Sequence, residues 1–370
     1  MEYKNIAIAG LGLIGGSLAK TIRRKYPDAV IYGIDQNQKT LKDAQNEGVI
    51  NYIADNVSSV AGSADIIFLC APIKVNLDMI SELGKARKES NCDFPIITDT
   101  SSIKYSLCQK ANEVGLSDVF IGGHPMAGTE KSGYDAGYDR LFENVYYIVS
   151  PLKDVSNDKI ETLRTFLKGL DCLPIVTDAK EHDFSVSCVS HVPHIISAAL
   201  VNLVKNNDDS KQTLKSIAAG GFKDITRISS SSPSMWTMIS EANRDQILPV
   251  LDQYIDSLHD IREKINSSNE DQIYNFFSDA RDYRDNLPVR SKGAIEDSYG
   301  LFCKIIDEEG EIAALATRLA AHHISIKNIG IVHNREYENG ALNIEFYDEA
   351  SYDYAVEILT KFKYTIYKKY

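Results

Sequence analysis

The chain has 370 residues, of which 44% are hydrophobic and 25% charged, and a formal net charge of −12. That length exceeds one ordinary core and predicts two or three domains of a globular protein. The negative field argues against nucleic acid and anionic membrane as partners, and any anionic ligand then needs a local cation.

No run of roughly 18 apolar residues occurs, so a membrane span is not expected. The N-terminus, Met1-Glu2-Tyr3-Lys4-Asn5-Ile6, enters a strand pattern directly, without the basic start and cleavage site of a signal peptide. Cys70, Cys92, Cys108, Cys172, Cys188 and Cys303 show no paired spacing. Reduced thiols in a cytoplasm are therefore expected, not a disulfide framework or zinc site.

Residues 1–151 alternate short apolar runs with helical patterns. Asn5 to Ala9, Val30 to Ile34, Ile66 to Cys70, Pro95 to Asp99, Val119 to Gly122 and Val145 to Val149 read as strands. Ser17 to Lys25 and Gln38 to Gly48 read as helices. The alternation predicts an α/β Rossmann-type domain with helices on both faces of a mostly parallel sheet. Residues 152–286 read as an all-α second domain, with helices over 158–169, 182–205, 209–219, 234–244, 246–266 and 269–284. Its excess apolar surface predicts a homodimer. Residues 287–298 read as a linker. Residues 299–370 follow the order βαββαβ and predict a ferredoxin-like α+β module.

Gly10-Leu11-Gly12-Leu13-Ile14-Gly15 sits between the first strand and the first helix. Gly10 permits the tight turn, Gly12 lets backbone approach a pyrophosphate, and Gly15 lets helix and strand pack closely. The helix start then offers unpaired N–H groups to the phosphates. Asp35 ends the second strand and suits the adenine ribose hydroxyls, which favours NAD over a 2′-phosphorylated cofactor. Ala71 and Pro72, after the strand Ile66 to Cys70, are placed to line the same cofactor. A glycine turn that binds no dinucleotide is the competing reading.

Asp99-Thr100-Ser101-Ser102-Ile103-Lys104 follows another strand at that edge. Ser101 can cap the next helix, which leaves Ser102 to face the nicotinamide. His124 follows a strand through Gly123, and an imidazole there can accept a proton or a strong hydrogen bond from a substrate hydroxyl. A structural histidine before a proline turn is the alternative. His191 and His194 lie three apart, which could suit a metal pair. No cysteine or carboxylate at fitting spacing supports that, so no metal is expected. His194 is the better candidate for a pocket. Asp224 and Arg227 can share a helix face, with the carboxylate aiming the guanidinium at a substrate carboxylate. A surface ion pair is the plain alternative.

These segments together resemble the prephenate dehydrogenases of tyrosine biosynthesis. The resemblance rests on Gly10 to Gly15, Asp99 to Lys104, Gly122-Gly123-His124-Pro125-Met126-Ala127-Gly128-Thr129-Glu130, Ser190-His191-Val192-Pro193-His194, Gly221-Phe222-Lys223-Asp224-Ile225-Thr226-Arg227 and Met235-Trp236. It implies NAD-dependent oxidative decarboxylation of prephenate to 4-hydroxyphenylpyruvate. His124 would accept the hydrogen bond of the ring hydroxyl, Ser102 would orient it, and Arg227 would grip a carboxylate. His194, Gly221 and Trp236 would line the pocket, with polar support from Glu130 and Asp224. The C-terminal module resembles an ACT domain, which implies tyrosine as an effector. Arogenate dehydrogenase is a close alternative, and a non-catalytic protein sensing NAD and an amino acid is a distant one.

Overall fold

Aliphatic and β-branched runs make the strands, and their burial on both sides explains why they read as continuous apolar stretches. In the computed structural model the described residues are 4–89, 94–128, 131–286, 299–305, 308–332 and 341–368. They fall into two units, Met1–Leu287 and Pro288–Tyr370. The linker expected over 287–298 lies outside the described residues.

In the first unit the chain runs β1 (Asn5–Ala9), α1 (Leu13–Lys25), β2 (Val30–Ile34), α2 (Gln38–Asn46), β3 (Tyr52–Ile53), β4 (Ile66–Leu69), α3 (Ile73–Glu89), β5 (Ile96–Asp99), α4 (Tyr105–Glu113), β6 (Phe120–Pro125), β7 (Tyr146–Pro151), α5 (Asn157–Gly169) and β8 (Leu173–Val176). The strands form one sheet in the order β3-β2-β1-β4-β5-β6-β7-β8. Strands β1 to β6 are parallel, β7 runs antiparallel to β6, and β8 is parallel to β7. Two apolar clusters cover its faces, one including Leu18, Ile22 and Phe166, the other Ile80, Leu83 and Leu107.

The expected boundary at residue 151 falls too early. Strand β8 extends the sheet, and Leu163, Phe166, Leu167 and Leu170 of α5 and the turn after it belong to the same core as β1. The first layer therefore ends near residue 176.

The helical part continues with α6 (Ala179–Val186), a π-helical turn (Ser187–His191), α7 (Val192–Asn207), α8 (Thr213–Ile217), α9 (Gly220–Thr226), a 3-10 turn (Arg227–Ser230), α10 (Pro233–Ala242), α11 (Arg244–Asn266) and α12 (Glu270–Asp285). Helix α8 is shorter than the predicted 209–219. The Asp209 side chain takes the amides of Lys211 and Thr213, and the Asp208 side chain takes those of Leu214 and Lys215. Side chains that capture backbone donors in this way compete with a helix. The stretch Ala179–Asn207 is helical throughout and is long and apolar enough, by length and composition alone, to cross a membrane. The helix predicted over 182–205 covers most of it, although His182, Asp183, His191 and His194 interrupt its apolar runs.

The second unit contains β9 (Tyr299–Lys304), α13 (Glu311–Ala321), β10 (Ile326–Val332), β11 (Ala341–Phe346), α14 (Glu349–Lys361) and β12 (Thr365–Lys368). Its strands form an antiparallel sheet in the order β10-β11-β9-β12. Leu301, Leu315, Leu342, Ile344 and Leu359 are fully buried in its core.

Candidate active site

The loop after β1 is shaped for a phosphate. Gly10 has φ +96°, a left-handed conformation that favours glycine. A Cβ on Gly15 would lie 1.9 Å from the Gly10 carbonyl oxygen, whereas a Cβ on Gly12 would meet nothing within 4 Å. Helix α1 begins on Gly12 with no side-chain cap and no acidic residue in its first turn. Its leading amides and the positive end of its dipole are therefore offered to an anion. Leu13 and Ile14 pack against the core behind the loop.

Asp35 is already engaged. Its carboxylate accepts the Leu11 amide at 2.7 Å and the Asn37 amide at 2.8 Å. It thus ties the glycine loop to the end of β2, with lone pairs to spare for hydroxyl donors. Ala71 and Pro72 follow β4 at the same edge. A Cβ on Gly10 would approach the Ala71 nitrogen to 2.8 Å, which places the two loops in contact. The donors, the open cradle and the acid all fit a dinucleotide.

His124 stands near the end of β6, opposite Ile148 of β7. Its Nδ1 lies 2.9 Å from Nε2 of His182. Nδ1 of His182 lies 2.8 Å from Oδ1 of Asp183. Asp183 also accepts the Lys104 amide at 2.7 Å and the Tyr105 amide at 2.8 Å. A carboxylate from α6 therefore caps α4. Ser101 does not fill that role: its hydroxyl receives the Asn76 side-chain amide at 3.0 Å, and its own amide donates to Asp99. Ser102 is half-buried in the same turn. Burial, reinforced by the neighbouring His182, pushes the pKa of His124 well below 6.5.

Lys104 underpins this strand end. It is fully buried, its ammonium pairs with the buried Asp99 carboxylate, and it also donates to the Gly123 carbonyl. The Gly123 amide returns a bond to Asp99 at 3.0 Å. The residue preceding His124 is thus held from both sides.

The helical part adds His191, whose charge also acts on His124. His191 follows His182 by nine positions, about 900° of α-helix, which would set the two on opposite faces. The π turn Ser187–His191 adds a residue to one turn and rotates His191 back by about 100°. Asn243 then serves both ends of the turn: its Nδ2 lies 3.0 Å from the Asp183 carbonyl, 2.9 Å from Ser187 Oγ and 3.0 Å from His191 Nδ1.

Trp236 lies edge-on to His191 at 6.0 Å and stacks on His194 at 3.8 Å. It also packs with Ile73, Ile103 and Ile239, which joins α10 to the turn that carries Ser102 and to the start of α3. His194 Nδ1 donates to the Ser190 carbonyl at 2.9 Å. Burial lowers its pKa and the nearby Arg227 lowers it further, against that backbone bond. Arg227 opens the 3-10 turn after α9, next to α7. Gly221 and Asp224 are exposed residues of α9. Glu130 lies outside the described residues. Trp236 thus stacks on His194, the charge of Arg227 acts on His194, and Ile103, next to Ser102, packs against Trp236.

His191 has a consequence for stability. Burial pushes its pKa down to about 4, with Asp183 opposing. Above pH 6.5 both folded and unfolded chains carry it neutral. As pH falls from 6.5 towards 4 only the unfolded chain takes up the proton, and stability is lost by up to about 3 kcal/mol. His191→Gln should flatten the fall in urea midpoint between pH 6.5 and 4.5, and an unchanged slope would assign it to other groups.

His182, Asp183, Asn243 and Lys104 were not among the residues expected from sequence at the site. Their contacts span 58 to 79 positions for the imidazole and carboxylate. No local spacing announces them. An adjacent His-Asp pair at the start of an apolar helix was the one available signal.

The nucleotide-binding domain model of prephenate dehydrogenase matches residues 18–175, and the prephenate dehydrogenase dimerization domain model matches residues 178–279. The chain is 40% identical over 342 residues to the prephenate dehydrogenase of Bacillus subtilis, covering 92% of this chain and 91% of that one. Among solved structures, the prephenate dehydrogenase of A. aeolicus, in complex with hydroxyphenyl propionate and NAD+, superposes with a TM-score of 0.70 at 28% identity. It covers 76% of this chain and 97% of that one. The arogenate dehydrogenase of Synechocystis superposes with a TM-score of 0.68 at 28% identity, covering 76% and 99%. With both domain models matching in order along a shared sheet and helical layer, this chain belongs to the prephenate dehydrogenase family.

Proposed function

We propose that this chain carries out the NAD-dependent oxidative decarboxylation of prephenate to 4-hydroxyphenylpyruvate. The observation that carries the reading is an imidazole, His124, whose pKa burial holds well below 6.5, at the sheet edge that also bears the uncapped glycine loop. Gly10 to Gly15 would receive the pyrophosphate and Asp35 the adenine ribose, with Ala71 and Pro72 alongside. When bound, NAD supplies the hydride acceptor. The chain's own task is alignment, which can contribute roughly 7–11 kcal/mol. His124 accepts the hydrogen bond of the ring hydroxyl, and Ser102 lies in the adjoining turn. Arg227 binds a substrate carboxylate, supported by Asp224 and Glu130. His194, Gly221 and Trp236 bound the ring. No metal takes part in this scheme.

Steady-state NADH absorbance with prephenate should show turnover. Arg227→Ala should raise KM for prephenate by about 10- to 100-fold, the loss of a charged hydrogen bond worth about 1.5–3 kcal/mol. An unchanged KM would assign the carboxylate to another residue. The likeness to an arogenate dehydrogenase supports a second reading, in which arogenate is the preferred substrate. The same assay with arogenate decides between them by the ratio of kcat/KM.

We read the C-terminal unit as a ferredoxin-like ACT module that responds to tyrosine. The support is its βαββαβ chain order and its sheet order β10-β11-β9-β12. Tyrosine added to the assay should lower the rate of the full chain. The exposed apolar side chains of Leu203, Ile255, Leu258 and Phe277 support a homodimer through the helical part, in keeping with the family description of that region. A cytoplasmic setting fits the reduced cysteines proposed from sequence.

A further inference from the structure

We propose that His182 and Asp183 are positioning residues that set the tautomer of His124, placing its proton on Nδ1 and leaving Nε2 as the acceptor for the substrate hydroxyl. This proposal rests on the reading of His124 as the proton acceptor.

The argument follows the donors along the chain of contacts. Asp183 already accepts two backbone amides, so it acts as an acceptor towards the histidine beside it. Nδ1 of His182, 2.8 Å from that carboxylate, therefore carries the hydrogen. A neutral imidazole has one N–H, so its Nε2 is a bare lone pair. That lone pair faces Nδ1 of His124 at 2.9 Å. Nδ1 of His124 must then be the donor, and Nε2 of His124 is left without a proton. A carboxylate at one end of two imidazoles thus decides which nitrogen of the far ring can act as a base.

Both positioning side chains are buried, His182 to 2% and Asp183 to 1% exposure. Water does not compete for their bonds, and the two rings meet edge-to-face at 5.1 Å with an interplanar angle of 81°. Lys104 and His191 are the other charged or titratable groups acting on His124, and both disfavour its cation. His182 disfavours that cation as well, so what its bond fixes is the direction in which Nδ1 of His124 donates, with Nε2 left to receive the proton.

The proton is borrowed. As hydride leaves the ring carbon bearing the hydroxyl, the hydroxyl proton moves onto Nε2. The bond from the ring to its carboxylate then breaks and releases carbon dioxide. Its electron pair enters the ring and restores an oxygen anion, which takes the proton back from Nε2. No net proton is consumed, and His124 ends in the tautomer in which it began.

The test uses the full chain. His182→Leu removes the acceptor for Nδ1 of His124. It should lower kcat for prephenate by roughly 10- to 100-fold, part of what a general base contributes, with KM for prephenate and for NAD changed less than about threefold. His182→Gln, whose side-chain oxygen can replace Nε2, should restore kcat to within about fivefold of wild type. A merely structural role would instead move both KM values or leave the Leu and Gln variants equally impaired. Asp183 also caps α4, so His182 is the cleaner position. The tautomer is read independently by 15N–1H correlation spectra of histidine-labelled chain, with the His124 signal assigned by its loss in His124→Asn. Nδ1 protonated and Nε2 bare is the expected result. The reverse tautomer, or wild-type kcat in His182→Leu, overturns the proposal. Failure to oxidise prephenate would remove the proposed function while leaving the spectroscopic result to stand or fall separately.

Discussion

His124→Asn should lower kcat for prephenate by about 10²–10⁴, equivalent to about 2.7–5.5 kcal/mol of barrier. Asparagine can still donate from its side-chain amide towards His182, so the strand end keeps its partner. It offers no basic nitrogen where Nε2 stood. KM should change little, because the proposed scheme assigns binding to Arg227 and the glycine loop. The wild-type pH profile supplies the matching control. Because burial holds the His124 pKa well below 6.5, the neutral, accepting form persists as pH falls. The acid limb of kcat/KM should therefore lie below pH 6.5, with a plateau from there towards pH 8. A limb at or above 6.5 would place the base on another group, and an Asn variant with near-normal turnover would remove His124 from the reaction.

Lys104→Met should lower the stability of the first unit by about 3–5 kcal/mol, the loss seen when one partner of a buried ion pair is removed. Asp99 and Lys104 are both 0% exposed. Without the ammonium, the Asp99 carboxylate keeps the amides of Ser101 and Gly123 but no counter-charge. The Gly123 carbonyl loses its donor as well. In urea the transition should move down by about 1 M or more. The double variant Asp99→Asn with Lys104→Met should recover part of the loss, since it leaves no buried charge unpaired. A single variant within about 1 kcal/mol of wild type would mean that water enters and solvates Asp99. Because Gly123 precedes His124, the same variant should also slow turnover.

The parts of this fold legible in sequence were those whose cause is local. Strands β4 and β5 are buried along their length and β1 and β2 over most of theirs, so their apolar runs stood out. Strand β3 has two residues, both exposed, and β8 carries Pro174 and is half open to solvent. Neither has a pattern distinct from a loop, and both exist because a neighbouring strand offers them an edge. The glycine loop and Asp35 were legible because tight turns restrict residue choice at fixed spacing. The support around His124 was not. Asp183 caps a helix 79 positions away, and the π turn that brings His191 round is set by Asn243 from α11's start. Such contacts follow from packing between layers, which periodicity does not encode.

The double duty of Asp35 bears on attempts to redesign coenzyme preference. Its carboxylate fastens the Leu11 amide within the Gly10–Gly15 loop as well as the Asn37 amide. Exchanging it for a small neutral residue, to make room for a 2′-phosphate, would also release the fastening of the loop proposed to receive the pyrophosphate. An altered-preference enzyme built on this scaffold would need a new acceptor for the Leu11 N–H together with its new cation. Otherwise affinity for both coenzymes should fall together.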